Sequence, residues 1–156
     1  MKKTLTMALM ATAVTASCLA APIVPEAKVL HNFFKQPAQV DNVRIMTGVD
    51  FAVPAGTKIV APEVALIGYG NDIPGFGTYV TITNKEGKVL IIANLERPLA
   101  QKPVAVKEGT VIGVVSKRTR QGKSYFHAEY FEDVKKNPNP SDPTPVLKAY
   151  GTKIKK

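Results

Sequence analysis

The sequence predicts one antiparallel all-β domain that follows an export signal. Three observations support this prediction. The N-terminus has the charge and hydropathy order of a signal peptide. From Arg44 onward, short β-branched runs alternate with glycine and proline at intervals typical of β domains. No stretch sustains the apolar spacing of an amphipathic helix.

The first segment has three parts in the order of a secretory signal. Lys2 and Lys3 form a basic head, Leu5 to Val14 is apolar and uncharged, and small residues continue to Ala21. The apolar run is shorter than the roughly 20 residues that a transmembrane helix needs. We predict a signal peptide at residues 1–20 and an exported mature chain, located in the periplasm or outside the cell.

Cys18 is the only cysteine. An alternative to its removal is lipid attachment, but Thr15 stands three residues before it, where a larger aliphatic residue is usual. We therefore expect membrane attachment only if Cys18 is lipidated. If cleavage comes after Cys18, the mature chain has no disulfide and its stability depends on the core.

The charge balance narrows the class of partner. The chain has 156 residues, with 21 lysines and arginines against 12 acidic residues, and loss of Lys2 and Lys3 lowers the formal charge from +9 to about +7. A basic protein favours anionic partners such as cell-wall polymer. No run alternates basic and aromatic residues as a nucleic-acid groove does, so no nucleic-acid partner is expected.

The mature chain begins with a segment of mixed composition. Residues 21–43 contain Pro25 and Pro37, and we predict an extended N-terminal arm there. The β domain is predicted at residues 44–147. Its first long strand is Lys58–Tyr69, in which Pro62 marks an edge or a bulge.

The next segments have the pattern of hairpins. Thr78–Thr83 alternates, with Val80 and Ile82 on one face, and the turn at 84–87 leads into a partner strand at 88–93. Residues 104–107 and 111–115, joined by Glu108-Gly109, predict a second pair.

The C-terminal part is predicted to have little regular structure. Ser124–Phe131 is the last predicted strand, and four prolines between positions 138 and 145 interrupt the segment after it. Residues 148–156 are predicted to be a basic, solvated tail.

Four segments share a distinctive order along the chain. They are Thr47-Gly48-Val49-Asp50-Phe51 with the following Pro54 to Ala61, Gly75 to Ile82, Val106 to Gly113, and Gly122 to Glu129. In order and spacing they resemble the LytM/lysostaphin family of zinc endopeptidases, which cut peptide cross-links in peptidoglycan. The resemblance covers about Arg44 to Phe131 and implies a two-sheet β fold of the duplicated hybrid motif type.

The resemblance also implies where a metal site would lie. The family's three zinc ligands correspond to Met46, Asp50 and His127, and its two proton-handling histidines correspond to Asn94 and Tyr125. Catalytic zinc needs three protein ligands and a bound water. Two of the three ligands are kept here, and neither catalytic histidine is.

The substituted residues are poor replacements. The Met46 thioether is a soft, neutral ligand, Asn94 cannot titrate, and the phenol of Tyr125 has an ordinary pKa of about 10. His31 lies upstream in the arm and is not expected to reach the site. We expect Asp50 and His127 to pair with each other, Met46 to fill the core, and no cofactor to bind. The alternative is a weak two-ligand zinc site.

A basic cluster lies near the implied groove. Arg118, Arg120 and Lys123, next to Lys117, are predicted to bind an anionic ligand, with a solvated loop as the alternative. We predict a non-catalytic, LytM-like cell-envelope protein that binds peptidoglycan or regulates a cell-wall hydrolase. The alternative is an active zinc endopeptidase with an atypical ligand set. A carrier-type module is disfavoured, because the lysine-bearing turn that it requires is missing.

Overall fold

The computed structural model describes residues 21–34, 38–40, 43–45, 47–73, 77–96 and 102–156. Within these ranges the elements are almost all strands. In chain order they are β1 Glu26–Phe34, β2 Ala38–Val40, β3 Val43–Ile45, β4 Gly48–Ala52, β5 Lys58–Val60, β6 Ala65–Ile73, β7 Gly77–Thr83, β8 Val89–Leu95, β9 Val104–Val106, β10 Val111–Val114, β11 Thr119–Arg120, β12 Lys123–Phe131, α1 Thr144–Ala149 and β13 Lys153–Lys155. The predicted all-β class is confirmed.

One large sheet organises the molecule. Its strand order is β13-β1-β4-β12-β8-β7-β6-β9, and β11 pairs with β12 beside this row. Its strand pairs are antiparallel except β1 and β13, which are parallel. Two small sheets, β5–β10 and β2–β3, complete the described strands.

The two faces of the large sheet have different roles. On one face Phe51 of β4 and Phe126 of β12 stack with ring centroids 5.1 Å apart, within the main hydrophobic core. Because side chains alternate along a strand, Tyr125 and His127 lie on the opposite face. That face holds a second, smaller apolar cluster around Tyr125 and Ala93. It is the face that carries the candidate site.

The β7–β8 hairpin forms as predicted. Val80 and Ile82 are both buried in the core. In the turn, the Gly87 amide donates to the Asn84 carbonyl at 3.0 Å, and the Asn84 side chain accepts from two further backbone amides. An asparagine that bonds its own downstream backbone is a strong local turn signal, and this explains the success of the prediction.

Two strand predictions are wrong at one corner of the fold. Lys58–Tyr69 is not one strand but two, β5 and β6, and the predicted pair at 104–115 does not form, because β9 pairs with β6 and β10 with β5. The segment from β5 to β6 and the segment from β9 to β10 each pass between the small sheet and the large sheet, and they do so at the same place. There the Ala61 amide donates to the Thr110 carbonyl at 2.9 Å and the Gly109 amide donates to the Ala61 carbonyl at 2.8 Å. Pro62, which has no amide hydrogen, lies in the crossing.

The segment predicted to be an N-terminal arm is extended but belongs to the sheet. Its residues 26–34 form β1, between β13 and β4. Ile23 and Val24, just before β1, are fully buried in the main core. Pairing with β1 satisfies the backbone groups along an edge of β4 that would otherwise be open.

The C-terminal tail is also part of the fold, contrary to the prediction of a solvated end. β13 pairs with β1 in parallel register, and α1 places Leu147 in the core with no exposed surface. We predicted that Pro143 and Pro145 interrupt regular structure, but they lie at the start of α1. Proline is tolerated there because the first helical amides have no partner within the helix. A six-residue helix is too short to show a periodic pattern.

The predicted signal peptide, including Cys18, lies outside the described residues. Among the residues that the structure does describe, no helix has the length and apolar character needed to cross a membrane.

Candidate functional site

The site is built around a pair of side chains on two neighbouring strands. Asp50 of β4 is the direct cross-strand partner of His127 of β12. The His127 Nδ1 lies 2.8 Å from the Asp50 Oδ1, and the two residues are only 4% and 2% exposed. The prediction that these residues approach each other across adjacent strands is confirmed.

Gly48 allows the imidazole to lie close to the backbone of β4. Its φ is +99°, a conformation that side chains rarely adopt, and a Cβ atom there would lie 2.9 Å from the Cε1 of His127. The same atom would lie 2.8 Å from the Cγ of Glu129. Any residue with a side chain would therefore push both groups out of position.

Arg120 occupies the other side of Asp50. Its Nη1 pairs with the Asp50 Oδ2, the oxygen that His127 does not bond. Its guanidinium also lies 5.1 Å from the ring centroid of Tyr125, which is a cation–π distance. Both oxygens of the buried carboxylate are thus engaged. The sequence predicted that Arg120 binds an anionic ligand or lies in a solvated loop, whereas in the structure its side chain is 26% exposed and pairs with the chain's own Asp50.

Glu129 and Thr47 lie on the far side of His127. The His127 Nε2 is 3.5 Å from the Glu129 Oε1, and the Thr47 hydroxyl donates to the same oxygen. Burial lowers the pKa of His127, but hydrogen bonds and charge from Asp50 and Glu129 raise it by more, so this pKa lies above its ordinary value of 6.5. We did not predict Glu129 as a site residue, although strand alternation places it on the same face as His127.

Asn94 is a structural residue at the end of β8. It is 1% exposed and has a φ of +65°. Its Nδ2 donates to the Tyr125 carbonyl at 2.7 Å, and its Oδ1 accepts from the Ser116 hydroxyl at 2.8 Å. The Ser116 oxygen in turn accepts from the Arg118 amide at 3.2 Å. Both ends of the Asn94 amide therefore tie β8 to neighbouring segments, and no local signal identified Ser116 as its partner.

Tyr125 lines the same face but is largely enclosed. It packs with Ala93, and the partly buried Leu30 and Tyr79 lie against this pair. Burial raises the pKa of the Tyr125 phenol, and the positive charge of Arg120 offsets part of the increase. Near neutral pH the phenol therefore stays protonated.

The other predicted residues lie at different distances from this centre. Arg118 and Lys123 are exposed, and the Arg118 guanidinium lies against Gly77, where a Cβ would be 3.1 Å from its Cζ. Met46 lies outside the described residues. We expected His31 to stay away from the site, but its backbone lies directly beside Asp50. A bulge in β1 makes His31 the cross-strand partner of Asp50.

Two further observations concern binding groups. In the part of the chain that the structure describes, no set of three or more histidine, cysteine, aspartate and glutamate side chains is arranged to hold a metal ion. A cavity of about 530 Å³ has Asn32, Lys148 and Ile154 among its lining residues, and neither Asp50 nor His127 lines it.

The fold is that of the LytM/lysostaphin-type peptidases. The catalytic domain of lysostaphin from Staphylococcus simulans superposes with a TM-score of 0.62 at 22% identity, over 78% of this chain and 92% of that domain. At this level of identity the likeness shows the fold alone.

The family follows from the sequence match. The chain belongs to peptidase family M23, whose model matches residues 44–143. The cell division protein DipM of Caulobacter vibrioides is 29% identical over 103 residues, which are 64% of this chain and 17% of that protein. The DD-carboxypeptidase/endopeptidase Mpg of Neisseria meningitidis serogroup B is 31% identical over 86 residues, 55% of this chain and 20% of that protein. The matched region thus spans a fifth or less of either relative.

Proposed function

We propose that this chain is a non-catalytic LytM-like protein of the cell envelope, which binds peptidoglycan through the face that carries the Asp50–His127 pair. The observation that supports this most directly is the state of Asn94. At a position where the family has a proton-handling histidine, both ends of a buried amide are used in internal hydrogen bonds. An amide does not titrate near neutral pH, so this position supplies no general acid or base.

The second proton-handling position supports the same interpretation. The phenol of Tyr125 is buried and its pKa is raised, so it is a poor base at neutral pH. Loss of positioned general acid–base groups typically lowers a rate by about 10²–10⁴-fold. With both positions replaced, the face retains a binding shape without the groups that transfer protons.

The donor set also argues against a catalytic zinc ion. Three protein ligands and an open position for water are needed. Asp50 and His127 are the two kept ligand positions, and the third position in sequence is a methionine, whose thioether is a soft ligand. We therefore propose that the protein works without a metal cofactor.

Charge supports an anionic ligand. Arg118 and Lys123 are exposed beside the site, and without Lys2 and Lys3 the formal charge of +9 is still about +7. The carboxylates of peptidoglycan stem peptides would complement these cations. The name of Mpg, a DD-carboxypeptidase/endopeptidase, favours a peptide ligand for this face.

The test is sedimentation of the purified mature chain with insoluble peptidoglycan. We expect the wild type to sediment and the double variant Arg118→Ala/Lys123→Ala to lose most of this binding. The matched control is Lys85→Ala/Lys107→Ala, which removes the same charge from two exposed positions. Lys85 lies in the turn between β7 and β8, and Lys107 directly follows β9. Equal loss in both double variants would indicate nonspecific charge attraction and would contradict a specific binding face.

A second candidate function is regulation of a cell-wall hydrolase. The match to DipM, which is named as a cell division protein, relates this domain to cell division, a process in which the cell wall is remodelled. This function predicts that the chain changes the rate at which a purified cell-wall amidase releases fragments from peptidoglycan. It also predicts that the effect does not require the chain to sediment with peptidoglycan by itself.

The remaining alternative is an active zinc endopeptidase with an atypical ligand set. We expect the unmodified chain to release no soluble fragments from peptidoglycan or from pentaglycine peptides, with or without added zinc. Cleavage that depends on zinc and is abolished by His127→Ala would establish the enzyme and overturn the non-catalytic proposal.

A further inference from the structure

We propose that the guanidinium of Arg120 takes over the charge role of a metal ion, holding the Asp50 carboxylate and keeping divalent cations from it. This inference deepens the proposed function and shares with it the premise that no catalytic metal is bound. It does not require peptidoglycan binding. Metal uptake and stability test it, whereas sedimentation tests ligand binding, so either can fail separately.

The first step is the burial of Asp50. This carboxylate is 2% exposed, and a buried carboxylate is strongly disfavoured unless an opposite charge and hydrogen bonds compensate it. His127 contacts one oxygen at 2.8 Å and Arg120 pairs with the other. A metal ion that approached Asp50 would meet the positive guanidinium at one oxygen and would compete with His127 at the other.

The second step is the way in which Arg120 is held. β11 and β12 form a tight hairpin in which Arg120 pairs with Lys123. The two connecting residues, Gln121 and Gly122, have φ angles of +51° and +71°. Positive φ at both positions is the pattern of a type I′ turn, whose twist matches that of its strands. The turn folds Arg120 back over β12.

The third step is the surface on which the guanidinium rests. Its Cζ lies 5.1 Å from the centroid of the Tyr125 ring. A cation over an aromatic face is stabilised by the ring quadrupole. Tyr125 stands where the family has a histidine, so this replacement supplies a platform for the arginine. Arg120 and Tyr125 therefore act together at Asp50.

The fourth step is a difference in chemistry. A guanidinium stays protonated at every physiological pH, so Asp50 keeps a counter-charge whether or not metal is available. It has no vacant coordination position, and therefore it does not activate a water molecule as zinc does. An arginine in place of a metal ion thus keeps the site folded but supplies no activated water for hydrolysis.

The experiment compares Arg120→Met with Arg118→Met. Both variants replace a guanidinium with an uncharged side chain, but Arg118 is exposed and has no ion pair with Asp50. We expect R120M to lower Tm by about 10 °C, since it leaves a buried charge without its partner. Added Zn²⁺ should raise the Tm of R120M, whereas it should leave the wild type and R118M unchanged. Zinc retained after dialysis is the second readout.

Two more variants keep the proposal testable if R120M folds poorly. Arg120→Lys keeps a cation and should remain more stable than R120M. The double variant Asp50→Asn/Arg120→Met removes both charges and should be more stable than R120M, without a response to Zn²⁺. The proposal is overturned if the wild type retains about one equivalent of zinc and is stabilised by it. It is also overturned if R120M matches R118M in Tm, or if D50N/R120M is no more stable than R120M.

Discussion

Asn94, whose position corresponds by resemblance to a family histidine, has a structural role in this chain. Its backbone lies in the left-handed region, where asparagine is one of the few residues tolerated besides glycine. Its side chain meets a hydroxyl on one side and a carbonyl on the other. Backbone and side-chain requirements thus both favour asparagine here.

The first prediction follows from that double requirement. Asn94→Ala should lower the free energy of unfolding by about 2–4 kcal/mol, because it strains the backbone and leaves buried polar partners unsatisfied. Asn94→Gly tolerates the positive φ but loses the same hydrogen bonds, so its cost should be smaller. Urea unfolding measures both. Asn139→Ala, an exposed control, should change stability by less than about 0.5 kcal/mol. An equal effect at Asn94 and Asn139 would contradict the structural role.

The second prediction concerns pH. The pKa of His127 is raised in the folded protein above 6.5, so protonation of this histidine stabilises the fold. The contribution is fully present below pH 6.5 and is lost as the pH rises through the raised folded pKa. Urea unfolding from about pH 5.5 to 8.5 should show this decline.

The matched variants for this pH dependence are His127→Asn and His31→Asn. They change the two histidines of the chain, one in the Asp50 pair and one beside it in β1. The decline attributed to His127 should be missing in H127N and retained in H31N. Its persistence in H127N would assign the pH dependence to other groups.

At the scale of elements, the two ends of the described chain are joined in one edge of the sheet. β13 pairs with β1, the Lys153 amide donates to the Pro25 carbonyl at 3.1 Å, and Lys155 forms an ion pair with Glu26 at 2.6 Å. α1 packs just before β13 and contributes Leu147 to the core. The C-terminal elements therefore stabilise β1, and β1 in turn covers β4, which carries Asp50.

The third prediction tests this element. Leu147→Ala should destabilise the protein by about 2–5 kcal/mol, because it removes a fully buried side chain and leaves a cavity. Val134→Ala is the control, since Val134 lies outside the core cluster and is 48% exposed. Its effect should stay within about 0.5 kcal/mol. Thermal or urea unfolding measures both effects. Equal stability of the two variants would show that α1 is not docked on the core and would contradict the prediction.

At the scale of the whole molecule, the described residues form one main core shared by the large sheet, the β5–β10 sheet, α1 and the segment before β1. Ile23 and Val24 belong to this core, and only Ala21 and Pro22 separate them from the predicted signal peptide. We expect that cleavage even three residues beyond Ala20 would remove a core residue, because Ile23 is already fully buried.

The fourth prediction is therefore that the mature protein begins near Ala21 and is found outside the cytoplasm. N-terminal sequencing of the protein from the periplasmic or extracellular fraction is the measurement. Replacing Lys2 and Lys3 together with glutamate should impair export, because a basic head is part of the signal. Cytoplasmic protein that retains Met1 in the unmodified chain would contradict the prediction.

The sequence by itself determined the features that depend on neighbouring residues. Strand alternation predicted that Val80 and Ile82 share one face and that Tyr125 shares a face with His127, because a strand has a period of two whatever its environment. The Asn84 turn was readable because it bonds its own backbone. The order of four short segments was enough to indicate the family and the positions of Asp50 and His127.

Only the tertiary structure decided which distant residues meet. Arg120 is 70 positions from Asp50, and Asn94 is 22 positions from Ser116. The pairing of β1 with β4 and β13, the exchange of sheets at Ala61, and the approach of His31 to Asp50 are also long-range contacts. Such contacts depend on strand order and on bulges, which no local pattern encodes. For that reason the sequence indicated the replaced ligand and the replaced histidines but not the arginine that pairs with Asp50.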